Sequence, residues 1–115
     1  MPDPTTLGVA IVGCGLIGAK RAQLLAPGQL IACADTVPER ATALAATAPG
    51  VTAHSDWRAA IAQPGVGIVL VSTTHDQLPV VALAAAERGL HVLIEKPGAR
   101  RAAELDPVIA AAART

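Results

Sequence analysis

The sequence predicts an α/β fold: a doubly wound parallel sheet of five strands, in spatial order 3-2-1-4-5, in a three-layer α/β/α sandwich. Three observations predict it. Short runs rich in Val, Ile and Leu alternate with Ala-rich stretches of helical spacing. Those runs are continuously apolar rather than alternating, as strands covered on both faces are. The first run leads directly into Gly13-Cys14-Gly15-Leu16-Ile17-Gly18, where the first helical stretch begins.

The elements follow in order. Residues Met1 to Thr6 carry no periodicity, no basic region and no apolar region, so they read as a loose arm without a secretory signal. Residues 7–115 form one domain. Its first strand runs from Leu7 to Val12 and its first helix from Leu16 to Leu25, closed by Pro27-Gly28. The second strand is Leu30 to Ala34. Pro38 suits the first turn of a helix reaching Thr47. Pro49-Gly50 turns the chain into a short strand, Val51 to Ala53, followed by a short helix, Trp57 to Ala62. Pro64-Gly65 is the next turn. The fourth strand spans Gly67 to Ser72 and the fourth helix Gln77 to Arg88, with Gly89 placed as a C-terminal cap. The fifth strand, His91 to Glu95, precedes a last helix from Ala102 to Arg114. Strands alternating with helices imply right-handed crossovers and helices on both faces.

Composition narrows the function classes. A chain of 115 residues is about one domain. At that size a core forms without disulfides or a structural metal. Lys+Arg and Asp+Glu are 9 each, so no basic field exists for nucleic acid or an anionic membrane. A hydrophobic share of 52% against 16% charged excludes a disordered chain. The apolar excess is mostly Ala, with no Phe or Tyr and one Trp. The longest apolar runs, Val80 to Ala86 and Val108 to Ala113, fall far short of the roughly 20 residues of a membrane span. Cys14 and Cys33 show neither metal spacing nor a disulfide framework, which points to a reduced, cytoplasmic protein.

The glycine loop carries the chemistry. Gly13 permits the tight turn off the strand, Gly15 lets backbone approach a pyrophosphate, and Gly18 lets the helix lie close to the sheet. The free N–H groups at that helix start, including those of Leu16 and Ile17, attract phosphate charge. A GxGxxG string alone is weak evidence. Here a strand precedes it, a helix follows it, and an acid, Asp35, closes the second strand about 17 residues after Gly18. An Asp there accepts hydrogen bonds from both ribose hydroxyls and repels a 2′-phosphate. No Arg directly follows Asp35, which favours NAD over NADP; Arg40, one turn on, keeps NADP as the minority choice. Asp35 also suits a turn or cap ahead of Pro38. An S-adenosylmethionine methyltransferase would use a similar loop, but with an acid two residues before the first glycine, where this chain has Ile11.

Ligands of an open parallel sheet sit outside the C-terminal ends of its strands. Those ends carry Ser72-Thr73-Thr74-His75 after the fourth strand and Glu95-Lys96-Pro97 after the fifth. Together with Ala34-Asp35, Glu39-Arg40, Asp56-Trp57, Ala82 to Gly89 and His91 to Pro97, the chain resembles the N-terminal domain of the Gfo/Idh/MocA oxidoreductases. The resemblance runs from Leu7 to about Ala113, and its most specific marker is Glu95-Lys96-Pro97.

The resemblance implies a Rossmann domain and an NAD-dependent oxidation of a hydroxyl on a sugar, cyclitol or related compound. It implies that Lys96 points at substrate and cofactor. A cation near the carbinol oxygen stabilises the developing alkoxide. Glu95 would orient Lys96, and Pro97 would fix the backbone. Ser72, Thr73, Thr74 and His75 are placed near the nicotinamide. Many members read Thr-Pro-Asn after this strand, with a His three residues later. Here the residues are Thr73-Thr74-His75 and the later position is Leu78, so His75 either fills the cofactor contact or caps the following helix. His54 and His91 read as loop surface and strand start. The family's C-terminal domain, with the substrate pocket and further catalytic residues, has no counterpart in this chain. The isolated chain is therefore expected to bind nucleotide without turnover, with possible self-association through faces that domain would cover. A second reading is a non-catalytic module that senses NAD or NADH for a partner protein. Both readings need the glycine loop and Asp35; only the first needs Lys96.

Overall fold

The computed structural model describes residues 7–73 and 77–94, with residues 109, 111 and 113. The element order is β1 (Gly8–Val12), α1 (Leu16–Ala22), β2 (Leu30–Ala34), α2 (Pro38–Ala45), β3 (Thr52–His54), α3 (Trp57–Ile61), β4 (Val66–Val71), α4 (Leu78–Glu87) and β5 (His91–Ile94). The five strands form one sheet in the order β3-β2-β1-β4-β5. Every neighbouring pair is parallel. This is the topology expected from the alternation of strands and helices.

The central position of β1 explains its composition. All five of its residues are buried, because helices cover both faces of a parallel sheet. On one face, Val9, Ile11 and Cys33 pack with Ala41 and Leu44 of α2, joined by Ala19 and Ala22 of α1. On the other, Val12, Val69 and Val71 pack with Ile61 of α3 and Leu78, Val81 and Ala85 of α4. Beside that second cluster, the buried residues Ala10, Ala32, Ala34 and Ala60 meet, with the half-buried Trp57 and Val66 packed against them. The short alanine side chains let α3 lie close over β1 and β2. These four alanines thus serve packing.

Strand β2 has the expected bounds, while several other element ends differ by a residue or more. Helix α1 stops at Ala22 rather than Leu25. Beyond it Leu24 and Leu25 donate to Arg21 and Ala22, three residues back, so the last turn tightens ahead of Pro27. Leu25 still packs on the core. Strand β3 pairs one residue later than expected, with Ala34 opposite His54. Pro38 sits in the first turn of α2 as expected. Gly89 follows α4 at φ +77°, the left-handed cap. Of the last expected helix, residues 109, 111 and 113 are helical, with Ala111 buried; its other residues and the arm, residues 1–6, lie outside the described residues. Among the described residues no helix is long and apolar enough to cross a membrane.

Candidate functional site

The C-terminal ends of β1, β2 and β4 converge on one cleft. The chain leaves β1 toward α1 on one face and leaves β4 toward α4 on the other, so a crevice opens between them. The cleft has a volume of about 610 Å³, and Gly13, Gly15, Asp35, Ser72 and Thr73 are among its walls.

The three loop glycines have three different causes. Gly13 has φ +98°, and an added Cβ would lie 2.5 Å from the Ser72 carbonyl oxygen. Both the turn and its contact with the end of β4 require glycine there. Gly18 is the buried residue of α1. A Cβ there would overlap the Gly13 carbonyl and lie 3.1 Å from Ser72 Oγ. The neighbour that forbids a side chain is therefore the loop itself, a tighter constraint than helix-on-sheet packing. Gly15 is unlike both. It is the N-cap of α1 with an ordinary extended backbone, φ −75°. A Cβ there would meet nothing within 4 Å. Among the described residues nothing explains why Gly15 lacks a side chain.

The helix start is polar and uncapped. Among the described residues no side chain caps α1. Its first internal bond runs from Ala19 N–H to the Gly15 carbonyl at 2.9 Å. The N–H groups of Leu16, Ile17 and Gly18 precede that bond, so the helix gives them no acceptor. Leu16 is 72% exposed and Ile17 44%. A negatively charged oxygen above Gly15 would meet these donors and the positive end of the helix.

Asp35 ends β2 on the other side of the loop. Its Oδ2 accepts from Cys14 N–H and its Oδ1 from Val37 N–H, each at 2.8 Å. It therefore ties the glycine loop to β2 and sets the turn into α2, the turn role weighed from sequence. Each carboxylate oxygen keeps a further lone pair for a ligand hydroxyl. Ser72 also has an internal duty: its hydroxyl donates to the Gly13 carbonyl at 2.6 Å, holding the loop to β4. Sequence offered no signal for that bond, whose partners lie 59 residues apart.

The thiols lie beneath the loop. Cys14 and Cys33 are free and buried. Their Sγ atoms donate to the carbonyls of Ala34 and Ala41, each at 3.3 Å. The neighbouring Cys33 thiol, burial and the Asp35 carboxylate all push the Cys14 thiol above the ordinary range. The Cys33 thiol is shifted the other way, lowered by its contact with Cys14, but it is fully buried, out of reach of a substrate. Among the described residues no group of three or more His, Cys, Asp or Glu could hold a metal ion.

In the sequence Asp56-Trp57 is a family marker and the start of a short helix, with no sign of a place in the site. The structure places Asp56, Trp57 and Arg58, with Arg40, on the cleft wall beyond Asp35. Thr74, His75, Glu95, Lys96 and Pro97 lie outside the described residues.

Comparison with known proteins agrees with this architecture. The family model GFO_IDH_MocA, described as an oxidoreductase family with an NAD-binding Rossmann fold, matches residues 7–115. Inositol 2-dehydrogenase of Streptomyces avermitilis is 39% identical over 95 residues, covering 79% of this chain and 28% of that enzyme. The chain thus spans less than a third of that relative's length. Among solved structures, GenD2 from gentamicin A biosynthesis, in complex with NAD, superposes with a TM-score of 0.85 at 30% identity, over 94% of this chain and 32% of that one. Levoglucosan dehydrogenase in complex with NADH and L-sorbose superposes at 0.75 and 29% identity, over 93% and 32%.

Proposed function

This chain belongs to the GFO_IDH_MocA oxidoreductase family as its NAD-binding Rossmann domain, and from that premise we propose that it binds NAD in this cleft for oxidation of a hydroxyl on a sugar or cyclitol. The observation that carries the reading is Gly15. Its missing side chain leaves open space directly over three helix-start N–H groups, and a pyrophosphate fills such a space. Gly13 and Gly18 keep the loop low enough for that approach.

Asp35 supports NAD over NADP. Its carboxylate is held from behind by Cys14 and Val37 N–H, so it presents a fixed negative charge at the ribose position. Ribose hydroxyls donate to it, whereas a 2′-phosphate is repelled. Ser72 and Thr73 would line the path toward the nicotinamide, with Thr74 and His75 following. When bound, the nicotinamide supplies a two-electron acceptor or donor of hydride. Lys96 is assigned to the substrate oxygen. Its ammonium lowers the cost of losing the hydroxyl proton as the carbinol carbon is oxidised. As the resemblance implies, Glu95 would orient that ammonium and Pro97 would fix the backbone there; all three residues lie outside the described residues. The substrate class rests on the inositol and levoglucosan dehydrogenases to which the chain is similar. Two free cysteines suit a cytoplasmic setting.

The test is calorimetric titration of the 115-residue chain with NAD and NADP. Binding of NAD, weaker binding of NADP, and loss of that preference in Asp35→Asn are expected. Absence of NAD binding in the folded wild type would refute the reading.

A further inference from the structure

Asp56, Trp57 and Arg58 form a charged surface on the cleft wall. Asp56 caps α3, its Oδ1 accepting the Arg58 N–H at 3.0 Å. The same oxygen lies 3.5 Å from the Arg58 guanidinium. The guanidinium carbon sits 4.5 Å from the centre of the Trp57 ring. That ring is half-buried and packs against the core clusters on the α3 face of the sheet. The indole is therefore anchored from below, while the Arg58 side chain is 70% exposed above it. A guanidinium lying on an indole is a pre-set plane, and its outer face suits a second flat π system.

The position of this plane selects the ligand part. Asp35 N–H donates to the His54 carbonyl at 3.1 Å, so the wall begins just past the strand end beside Asp35. A nucleotide whose ribose meets Asp35 has its phosphates directed toward Gly13 and Gly15. Its base is attached on the opposite side of the sugar and must extend toward Ser55 to Arg58.

We infer that Arg58, held over the Trp57 ring and tethered by Asp56, is the platform on which the adenine base stacks. The inference rests on the dinucleotide reading above and adds to it the wall that receives the base. Stacking on a plane reads the π face of the base, so adenine-bearing ligands without nicotinamide are sufficient for it.

The chain's one aromatic residue is Trp57, so its fluorescence reports this wall alone. ADP-ribose is titrated into wild type, Arg58→Ala and Arg58→Lys. ADP-ribose is expected to change Trp57 emission in the wild type. Arg58→Ala is expected to weaken its affinity about tenfold. Arg58→Lys is expected to weaken it similarly, since an ammonium keeps the charge without the plane. Wild-type affinity in Arg58→Ala would overturn the inference and leave the dinucleotide reading standing. Wild-type affinity in Arg58→Lys would overturn stacking in favour of charge alone. No ADP-ribose binding by folded wild type would overturn both.

Discussion

Replacing Gly15 by Val separates folding from binding at the glycine loop. The backbone there is extended, at φ −75°, and an added Cβ meets no atom within 4 Å. A poorer N-cap costs up to about 1 kcal/mol. Losing a glycine from the unfolded chain returns about 0.4–1 kcal/mol. The two nearly cancel, so the melting temperature should move by only a few degrees. Binding should respond differently. The side chain fills the space proposed for the pyrophosphate and separates it from the helix-start N–H groups. Two lost hydrogen bonds to a charged group, at about 1.5 kcal/mol or more each, amount to at least a hundredfold in Kd. Gly18→Ala is the counterpart. Its Cβ overlaps the Gly13 carbonyl and crowds Ser72 Oγ. It should destabilise by about 1–3 kcal/mol through overpacking. The assay pairs thermal melts with calorimetric titration of NAD for both variants. If Gly15→Val melts like wild type and still binds NAD with wild-type affinity, the argument from the empty space fails.

Four further outcomes are expected. Asp35→Ala should lower stability by about 1–3 kcal/mol as well as weaken NAD, because it strands the Cys14 N–H; Asp35→Asn keeps an acceptor, and comparing their denaturant midpoints checks this. Ser72→Ala should cost about 1 kcal/mol by releasing the Gly13 carbonyl, read as a shift in urea midpoint. The folded Cys14 thiol holds its proton to higher pH than the unfolded one, which titrates near about 8.5. The Cys14 contribution is therefore full below that pH and lost as pH rises, while the lowered Cys33 thiol acts in the opposite direction, so melts across pH of Cys14→Ala and Cys33→Ala should depart from wild type with opposite slopes. In a family member retaining the aligned lysine, its replacement by Ala should lower turnover far more than NAD affinity, measured by steady-state rates beside cofactor titration, as the role proposed for Lys96 requires.

The amino-acid sequence alone determined the order of strands and helices, because each element carries its own local pattern. Continuous Val/Ile runs announced strands buried on both faces, and the turn into α2 was legible at Pro38. Gly13 to Gly18 with Asp35 located the site for the same reason: a turn, a helix start and a strand end are each short-range features. The causes of those residues were decided only by tertiary structure. Gly13, Gly15 and Gly18 look equivalent in the string, yet Ser72 and the loop carbonyl exclude side chains from two of them and leave the third facing open space. Asp35 reads as a ligand acceptor, but the pairing of β1 with β2 also makes it the tie that holds the loop. Trp57 and Arg58 read as the start of a short helix. They join the cleft because β3 pairs beside β2 and delivers α3 next to Asp35. Such contacts depend on sheet register between distant segments, and register is a property of the packed sheet rather than of any one run of residues.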